Sequence, residues 1–231
     1  MTPHDHQPQA KLSWRDGVPV ADAFDDPYFA QANGLAETRH VFLDGNDLPG
    51  RFRDGFHIAE LGFGTGLNLI AALLAFRAAG VTGRLHYTGF EAFPMSPSDM
   101  GRALAAFPQV AEVAAPITAW WRDPRVALDL PDLRARVILG DAADTLPNWS
   151  GTADAWFLDG FAPARNPGMW GADLMRAVAD RTAQDGTFAT YTAAGHVRRA
   201  LAEAGFDVER RVGYGRKRHM SVGVLRTASS A

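Results

Sequence analysis

The chain has 231 residues, 47% hydrophobic and 21% charged, a composition typical of a folded globular protein and not of a disordered one. It contains no cysteine, which excludes disulfides, thiolate metal ligands and cysteine nucleophiles. The net charge is only −3, no apolar run has the length of a membrane span and the N-terminus lacks a signal-peptide pattern, so we expect a soluble cytoplasmic protein.

The chain before residue 56 is weakly patterned. We expect a single domain across residues 1–231, with flexible tails at residues 1–10 and 227–231. Residues 12–54 mix short apolar runs with turn residues, and the Gly-Asn-Asp triplet at residues 45–47 predicts a turn.

A regular alternation of strands and helices begins at residue 56. Buried strands are predicted at residues 56–61, 84–90, 135–139, 153–158 and 186–192. Helices are predicted at residues 67–79, 98–115, 170–184 and 196–204, and residues 116–134, which contain three prolines, are predicted to be an irregular or helical insertion. This alternation indicates an α/β fold with a mostly parallel sheet that is covered on both faces.

The C-terminal part departs from that rhythm. Residues 208–212 and 220–225 are apolar runs joined by a short segment rich in glycine and basic side chains, which predicts an antiparallel hairpin. A mostly parallel sheet that ends in an antiparallel hairpin is the Rossmann-like topology of class I S-adenosylmethionine (SAM)-dependent methyltransferases.

A glycine-rich segment follows the first buried strand. Residues 60–68 read Glu-Leu-Gly-Phe-Gly-Thr-Gly-Leu-Asn, and glycines at alternate positions let the backbone turn sharply beside a ligand. A dinucleotide-binding loop has the different spacing G-x-G-x-x-G, which seats a pyrophosphate. SAM has no phosphate, and its ammonium group favours a carboxylate such as Glu60; a plain strand–helix turn is the alternative. The predicted cofactor residues here are Glu60, Gly62, Phe63, Gly64, Thr65, Gly66 and Asn68.

Acidic residues follow the next two strands. Glu91 comes directly after the second strand, where a carboxylate can accept hydrogen bonds from both ribose hydroxyls of a nucleoside. Asp141 and Ala142 follow the third strand, where the acid can accept a hydrogen bond from the adenine amino group. A role as a helix N-cap remains open for Asp141.

The loop after the fourth strand contains the predicted catalytic residues, Asp159 and Phe161. Parallel strands end at one edge of the sheet, so Asp159 should face the same crevice as Gly62 and Glu91 and also contact the cofactor. The loop is similar to the acid-Pro-Pro-aromatic loop of amine methyltransferases. That similarity implies that Asp159 orients the amine or accepts its proton, while Phe161 packs against the base or the sulfonium. An aspartate that only caps the loop is the alternative.

Positive charge is concentrated toward the C-terminus. Residues 191–231 contain eight basic and three acidic residues, a net charge of +5, which leaves about −8 for the rest of the chain. Arginine side chains suit phosphates and stack on unpaired bases, so this segment is a candidate polyanion-binding surface. A hairpin kept soluble by surface charge is the alternative. The predicted substrate or RNA contacts are Arg165, Asn166, Arg198, Arg216, Lys217 and Arg218.

Several long motifs resemble those of one family. Four segments resemble signatures of the methyltransferase domain of MnmC, a family of bacterial tRNA-modification enzymes. They are residues 59–68, residues 159–170, residues 191–195 with 197–198, and residues 215–220. Residues 24–29 and 41–46 match as well, so the resemblance spans residues 14–225.

The resemblance implies an activity. The family uses SAM to methylate the aminomethyl nitrogen of 5-aminomethyl-(2-thio)uridine at the wobble position of tRNA. The wobble uridine must be unpaired. Its best-known members continue into an FAD-dependent oxidase domain that makes the aminomethyl group. This chain stops after the methyltransferase hairpin, so we expect a stand-alone member or a truncated chain. FAD is not expected, and an oxidase or another aminomethyl-forming enzyme is expected to be supplied separately.

Three other functions are compatible with parts of the sequence. An NAD-type oxidoreductase is disfavoured by the glycine spacing and the final hairpin. A SAM-dependent N-methyltransferase of small-molecule amines stays open, whereas a non-catalytic tRNA-binding module is disfavoured by the presence of Glu60, Glu91 and Asp159. The seven histidines show no metal-ligand spacing, and neither a metal nor a membrane partner is expected.

Overall fold

The structure is a computed structural model that describes residues 8–30 and 33–226. Of the predicted tails, residues 1–7 and 227–231 lie outside the described residues. Residues 8–10 are described, and the backbone N–H of Ala10 donates to the carbonyl of Pro94 at 3.1 Å. No helix in the described part of the chain is long and apolar enough to cross a bilayer.

The described chain alternates short strands and helices. Its strands are β1 (Leu12–Arg15), β2 (Val18–Ala21), β3 (Asp26–Pro27), β4 (His57–Leu61), β5 (Leu85–Glu91), β6 (Leu128–Leu130), β7 (Leu133–Leu139), β8 (Ala153–Leu158), β9 (Thr182–Thr190), β10 (Phe206–Val212) and β11 (His219–Leu225). Its α-helices are α1 (Gly34–Thr38), α2 (Leu67–Ala78), α3 (Pro97–Leu104), α4 (Ala111–Trp120), α5 (Ala142–Thr145), α6 (Ala172–Asp180) and α7 (Gly195–Glu203).

Eight of the described strands form one sheet in the order β10-β11-β9-β8-β4-β5-β7-β6. The five central strands, from β9 to β7, are parallel. At one end β11 is antiparallel to both β9 and β10, which confirms the predicted terminal hairpin. At the other end β6 is antiparallel to β7.

Hydrophobic side chains cover both faces of this sheet. Along β8, Ala155 and Phe157 belong to one buried cluster, which includes the buried face of α2. Trp156 and Leu158 point the other way and pack in a second cluster with α6 and α7. Each large side chain that is fully buried in this way contributes roughly 1.5–3 kcal/mol to folding. The prediction of a sheet covered on both faces is confirmed.

The prediction of one continuous helix at residues 98–115 is wrong. The structure has two helices there, α3 and α4, separated by a 3₁₀ turn that begins at Pro108. Proline disfavours helical geometry in the residue before it, and Phe107 accordingly has a non-helical ψ of 71°. The predicted insertion at residues 116–134 supplies the end of α4, which contains Pro116, and the short strand β6.

The boundary between α6 and β9 is earlier than predicted. Helix α6 ends at Asp180, and β9 already begins at Thr182. Between Ala153 and Ala155 of β8 the partner on β9 jumps from Thr182 to Thr187, and Asp185 adopts a φ of 58° within that irregularity. The apolar pattern begins only after this bulge, which is why the sequence places the strand start too late.

Residues 12–46 form structure that the sequence pattern left undefined. Strands β1, β2 and β3 make a small antiparallel sheet, and α1 continues into a π-helical turn at Arg39–Leu43 and a 3₁₀ turn at Asp44–Asn46. The predicted turn at residues 45–47 is confirmed, since Asp47 has a left-handed φ of 55°. Gly45 packs directly on β9, because an added Cβ there would lie 2.8 Å from that of Ala189.

Candidate active site

A cavity of about 910 Å³ lies at the carboxyl ends of β4, β5, β7 and β8. The small N-terminal sheet, α1 and the β10–β11 loop close its other sides. Most of the residues predicted from sequence line it: Gly62, Phe63, Gly64, Thr65, Asn68, Glu91, Asp141, Ala142, Asp159, Phe161, Asn166, Arg216 and Lys217. Five predicted residues do not: Glu60, Gly66, Arg165, Arg198 and Arg218.

The glycine loop has a backbone that other residues would not tolerate. Gly62, Gly64 and Gly66 have φ values of 84°, 54° and 74°. A Cβ on Gly62 would lie 2.1 Å from the carbonyl oxygen of Asp159, so the β4 loop and the β8 loop touch at this point. The alternate glycines therefore provide both a sharp turn and a close approach between the two loops.

Phe63 fixes this loop to the helical insertion. Its buried ring stacks on Trp121 with a centroid distance of 4.9 Å and meets Trp120 edge-on at 6.1 Å. Gly89 of β5 must lack a side chain, because a Cβ there would lie 2.7 Å from the Phe63 ring. The insertion therefore supports the floor of the cavity from outside the sheet.

Glu91, at the end of β5, links the glycine loop to the residues that follow β5. Its carboxylate accepts hydrogen bonds from the backbone N–H of Gly64 and of Phe93, both at 2.8 Å. Burial raises the pKa of Glu91, while those backbone donors act in the opposite direction. The backbone N–H of Ala92 also acts on this carboxylate, so one of its four acceptor positions remains for a hydroxyl group of a ligand.

Glu60 lies behind the cavity wall instead of facing the cavity. It is fully buried, and its two oxygens accept hydrogen bonds from Asn68 Nδ2 at 2.6 Å and from the Tyr87 hydroxyl at 2.7 Å. Burial, with the nearby Asp159 carboxylate, raises the pKa of Glu60 well above its usual value. The structure thus places Asn68, and not Glu60, at the cavity surface.

Asp159 faces the cavity from the end of β8. Its Oδ2 accepts a hydrogen bond from Asn68 Nδ2 at 2.7 Å, and its backbone N–H donates to Leu61 in β4 at 3.0 Å. Desolvation raises the pKa of Asp159 to about 7, against the opposing effects of Asn68 and of Lys217. The group therefore titrates near neutral pH, where a general base is most effective.

Asp141 does what the alternative interpretation proposed. It is the N-cap of α5, with Oδ1 accepting the backbone N–H of Ala143 at 2.9 Å. Because Asp141 and Ala142 also line the cavity, the N-cap role and a ligand-binding role are compatible.

Aromatic rings from distant parts of the chain surround Phe161. Phe24 stacks on it at 4.7 Å, and Tyr28 meets it edge-on at 5.2 Å. The Asp26 carboxylate accepts the backbone N–H of Ala162 at 2.8 Å, which ties the N-terminal sheet to the β8 loop. Asn166, in the same loop, contributes to the cavity lining.

The predicted RNA contact Arg165 is engaged elsewhere. Its guanidinium forms an ion pair with Asp25 at 2.9 Å and donates to the carbonyl of Phe24. This ion pair links the β8 loop to the N-terminal sheet, and contact of Arg165 with RNA stays a prediction.

The basic residues at the C-terminal end differ in position. Arg216 is exposed at the cavity rim, while Lys217 forms an ion pair with Glu37 at 2.8 Å and lies 3.9 Å above the Tyr191 ring. Arg218 is exposed just outside the cavity, and Arg198 in α7 is partly buried and away from it.

Several cavity residues had not been assigned a role from sequence. They are Asp26, Tyr28, Glu37, Thr38 and Tyr191. Asp26, Tyr28 and Tyr191 fall within family-like motifs, which was the available signal. Glu37 and Thr38 lie in the short helix α1, whose pattern is too brief to reveal an amphipathic face.

The raised pKa of Asp159 predicts a stability gain on its neutralisation. The unfolded chain ionises this group at about 3.8 and the folded chain at about 7, so folding favours the protonated form. That contribution is complete below the unfolded pKa and is lost as pH rises through the folded pKa. D159N should therefore raise the free energy of unfolding by about 1–2 kcal/mol at pH 8, allowing for partial solvation of the cavity.

Urea unfolding at several pH values measures this gain. It should shrink as pH falls toward 4. D173N changes an exposed carboxylate in the first turn of α6 and should show no comparable pH-dependent gain. A gain from D159N that is equal at pH 4 and pH 8 would contradict the assignment.

The fold and the cavity together define a class of protein: a Rossmann-like domain of the class I methyltransferase type. A family profile described as S-adenosyl-L-methionine-dependent methyltransferase matches residues 108–226. The chain belongs to this family, and the predicted cofactor is thereby confirmed.

Curated relatives share one name, "tRNA 5-methylaminomethyl-2-thiouridine biosynthesis bifunctional protein MnmC". The relative from Chromobacterium violaceum is 42% identical over 99% of this chain and 36% of its own length. The relative from Caulobacter sp. is 46% identical over 90% of this chain and 37% of its own length. The resemblance seen in the sequence motifs is confirmed, and the chain spans about a third of the length of these relatives.

Solved structures show the same fold. The crystal structure of MnmC2 from Aquifex aeolicus superimposes with a TM-score of 0.74 and 24% identity, over 96% of this chain and 72% of that chain. TrmN from Thermus thermophilus gives a TM-score of 0.51 and 18% identity, over 80% of this chain and 47% of that chain.

Proposed function

We propose that this protein transfers a methyl group from SAM to the aminomethyl nitrogen of 5-aminomethyl-(2-thio)uridine at the wobble position of tRNA, in the cytoplasm. The observation that carries the proposal is the single cavity that joins the glycine loop and Glu91 to Asp159. The name of the relatives, which refers to 5-methylaminomethyl-2-thiouridine biosynthesis, supports the choice of substrate.

The cavity suits the cofactor in one part. Glycines cradle the turn after β4, where a side chain at Gly62 would collide with the opposite loop. Glu91 retains a free acceptor position for a ribose hydroxyl, and Asp141 and Ala142 border the expected adenine site. Asn68 takes the position near the amino-acid end that the sequence had given to Glu60. When bound, SAM supplies an electrophilic methyl group on a sulfonium.

The remaining part suits an amine. Asp26 and Asp159 bring negative charge to the lining, while Glu37 is paired with Lys217, and this charge favours the entry of a cationic ammonium group. A protonated amine has no lone pair for methyl transfer, and Asp159 can remove the proton because its pKa is raised to about 7. Asp159 then holds the neutral amine by hydrogen bonding while the reaction proceeds.

The nucleobase requires its own space. A wobble uridine must leave the anticodon stack to reach a cavity, and flipped bases commonly pack against aromatic side chains. Phe161, with Phe24 behind it, presents such a surface next to Asp159. The cavity, at about 910 Å³, is at the upper end of the usual size for one ligand and accommodates parts of two.

The basic rim is proposed to contact the RNA backbone, and R216Q tests this. Loss of one phosphate contact should raise the KM for tRNA and lower the slope of log KM against log salt by about one unit. Lys217 already pairs with Glu37, so adding K217Q to R216Q should lower the salt slope by less than the loss of an unpaired lysine would.

R226Q is the matched control, since Arg226 follows the far end of β11 and pairs with Asp207. Its KM for tRNA and salt slope should equal those of the wild type. If R216Q matches R226Q in both quantities, the cavity rim does not contact phosphates.

The function itself is tested by methyl transfer from labelled SAM to tRNA that carries aminomethyl wobble uridines, followed by nucleoside analysis. We expect one labelled product, the 5-methylaminomethyl nucleoside. Label at another nucleoside, or none under conditions where SAM binds, would overturn the proposal.

The aminomethyl group must be formed by a different reaction, because methyl transfer to nitrogen does not create it. We propose that a separate oxidase or another aminomethyl-forming activity supplies this substrate.

Methylation of a small-molecule amine is the second candidate. It is favoured by the extent to which the N-terminal sheet and the Lys217–Glu37 ion pair enclose the carboxylates. A reaction that contains equal amounts of aminomethyl tRNA and of small diamines distinguishes the two candidates. The proposed function requires that label enter tRNA, and the second candidate requires that it enter the diamines.

A further inference from the structure

A chain of buried hydrogen bonds runs along the cavity wall and into the protein beneath it. The Thr38 hydroxyl of α1 donates to Asn68 Oδ1 at 2.9 Å. Asn68 Nδ2 then donates to both Glu60 and Asp159, at 2.6 and 2.7 Å. The chain ends at Tyr87, whose hydroxyl donates to Glu60. Thr38 and Asn68 are each only 5% exposed, so water contributes little to this arrangement.

The orientation of the Asn68 amide decides whether Asp159 is held. An asparagine amide has two N–H donors on one side and an acceptor oxygen on the other. Here both donors are used by carboxylates, so the oxygen must point at Thr38. Rotating the amide by half a turn would direct its oxygen at the oxygens of Glu60 and Asp159, and ionised carboxylates repel it.

We propose that Thr38 is a positioning residue for Asp159, acting through Asn68. By donating to Asn68 Oδ1, Thr38 selects the amide orientation that binds Asp159 Oδ2 and leaves Oδ1 for the acceptor amine. Among the described residues, Oδ1 of Asp159 has no hydrogen-bond partner, in agreement with this division.

Glu60 and Asp159 share the amide of Asn68 but have different roles. Glu60, held by Tyr87 and Asn68, is an internal anchor, whereas Asp159 is the carboxylate that meets the ligand. Thr38 lies in α1, on the opposite side of Asn68 from the sheet. A segment outside the parallel sheet therefore aligns a side chain that the sheet presents.

Other ionisable groups also act on Asp159 and must stay constant in a test. They are Lys217, Glu37, Asp26, Glu60, Tyr87 and Tyr191. Substitution at Thr38 changes none of these charges, so a change in the titration of Asp159 would report on the amide.

The experiment compares T38V, which removes the hydroxyl, with T38S, which keeps it. T182V is the matched control, because Thr182 is also buried and donates to a backbone carbonyl, that of Val178, remote from the cavity. Carbon-13 NMR of labelled aspartate carboxyls, with the Asp159 signal identified by its absence in D159N, gives its titration midpoint. Steady-state methyl transfer to aminomethyl tRNA gives kcat and the KM for SAM.

In T38V the carboxylate loses part of a hydrogen bond that favours its charged form, so its midpoint should rise by roughly half to one pH unit. The rate should fall about 5- to 30-fold below the shifted midpoint, with KM for SAM within about threefold of wild type. T38S should restore both values, and T182V should change neither. T38A provides the same comparison if T38V does not fold.

Two outcomes would overturn the proposal. One is a midpoint in T38V equal to that in T182V, and the other is T38S behaving as T38V does. The kinetic half of the test rests on the proposed function, whereas the NMR half does not. If the wild type fails to methylate tRNA but the midpoint shifts as expected, the substrate assignment is wrong and the positioning role stands.

Discussion

Replacing Asp159 with asparagine is expected to lower kcat for methyl transfer by about 10²- to 10⁴-fold, the usual loss when a positioned acid or base is removed. Asparagine can still accept the hydrogen bond from Asn68, so the side chain should keep its place. It cannot accept the proton of an ammonium substrate. The loss should therefore appear in the chemical step and not in the binding of SAM.

The pH profile provides the specific readout. Burial raises the pKa of Asp159 to about 7, so the wild-type rate should rise with pH through that value as the carboxylate ionises. D159N should lack this limb near pH 7 and keep only the low rate that the small, pH-dependent fraction of neutral amine supports. D159E, which retains the carboxyl group but displaces it, should keep the limb at a reduced rate.

Unchanged D159N kinetics would remove Asp159 from the mechanism. Binding of SAM measured by calorimetry, and the unfolding transition, establish that the variant is folded before its rate is compared. A rate loss that disappears at high pH would instead mean that solvent can take the proton once the amine is neutral.

The parallel sheet and its glycine loop could be predicted because their signals are local. Continuous apolar runs followed by Gly62 or by Asp159 identify strands that end at a ligand-binding edge, and parallel topology brings those ends together. Glu91 and Asp141 follow from the same rule. All four are found at the cavity, although their contacts with a cofactor stay predictions.

The second half of the cavity could not be predicted because it depends on pairs far apart in sequence. Arg165 looks like a free cation until Asp25, 140 residues earlier, is seen beside it. The sequence likewise does not show how deeply each side chain is buried. Glu60 in β4 and Asn68 in α2 flank the same loop and are hydrogen-bonded, yet only Asn68 reaches the cavity, since Tyr87 in β5 holds the glutamate below.

Replacing Gly62 with alanine is expected to destabilise the protein by more than about 3 kcal/mol and to abolish detectable SAM binding. A φ of 84° alone costs a non-glycine residue roughly 1–2 kcal/mol. The added Cβ would also lie 2.1 Å from the carbonyl oxygen of Asp159, a backbone atom that cannot rotate away. Relief of this overlap requires the β4 and β8 loops to separate, which moves Asp159 and opens the cradle.

G17A isolates the conformational part of that effect. Gly17, in the turn between β1 and β2, has a nearly identical φ of 82°, but nothing lies within 4 Å of the position of its Cβ. G17A should therefore lose only about 1 kcal/mol and bind SAM as the wild type does. Urea unfolding and calorimetric SAM titration of both variants give the comparison. If the two alanines cost the same, the contact between the two loops is not tight, and the glycine at 62 serves only the turn.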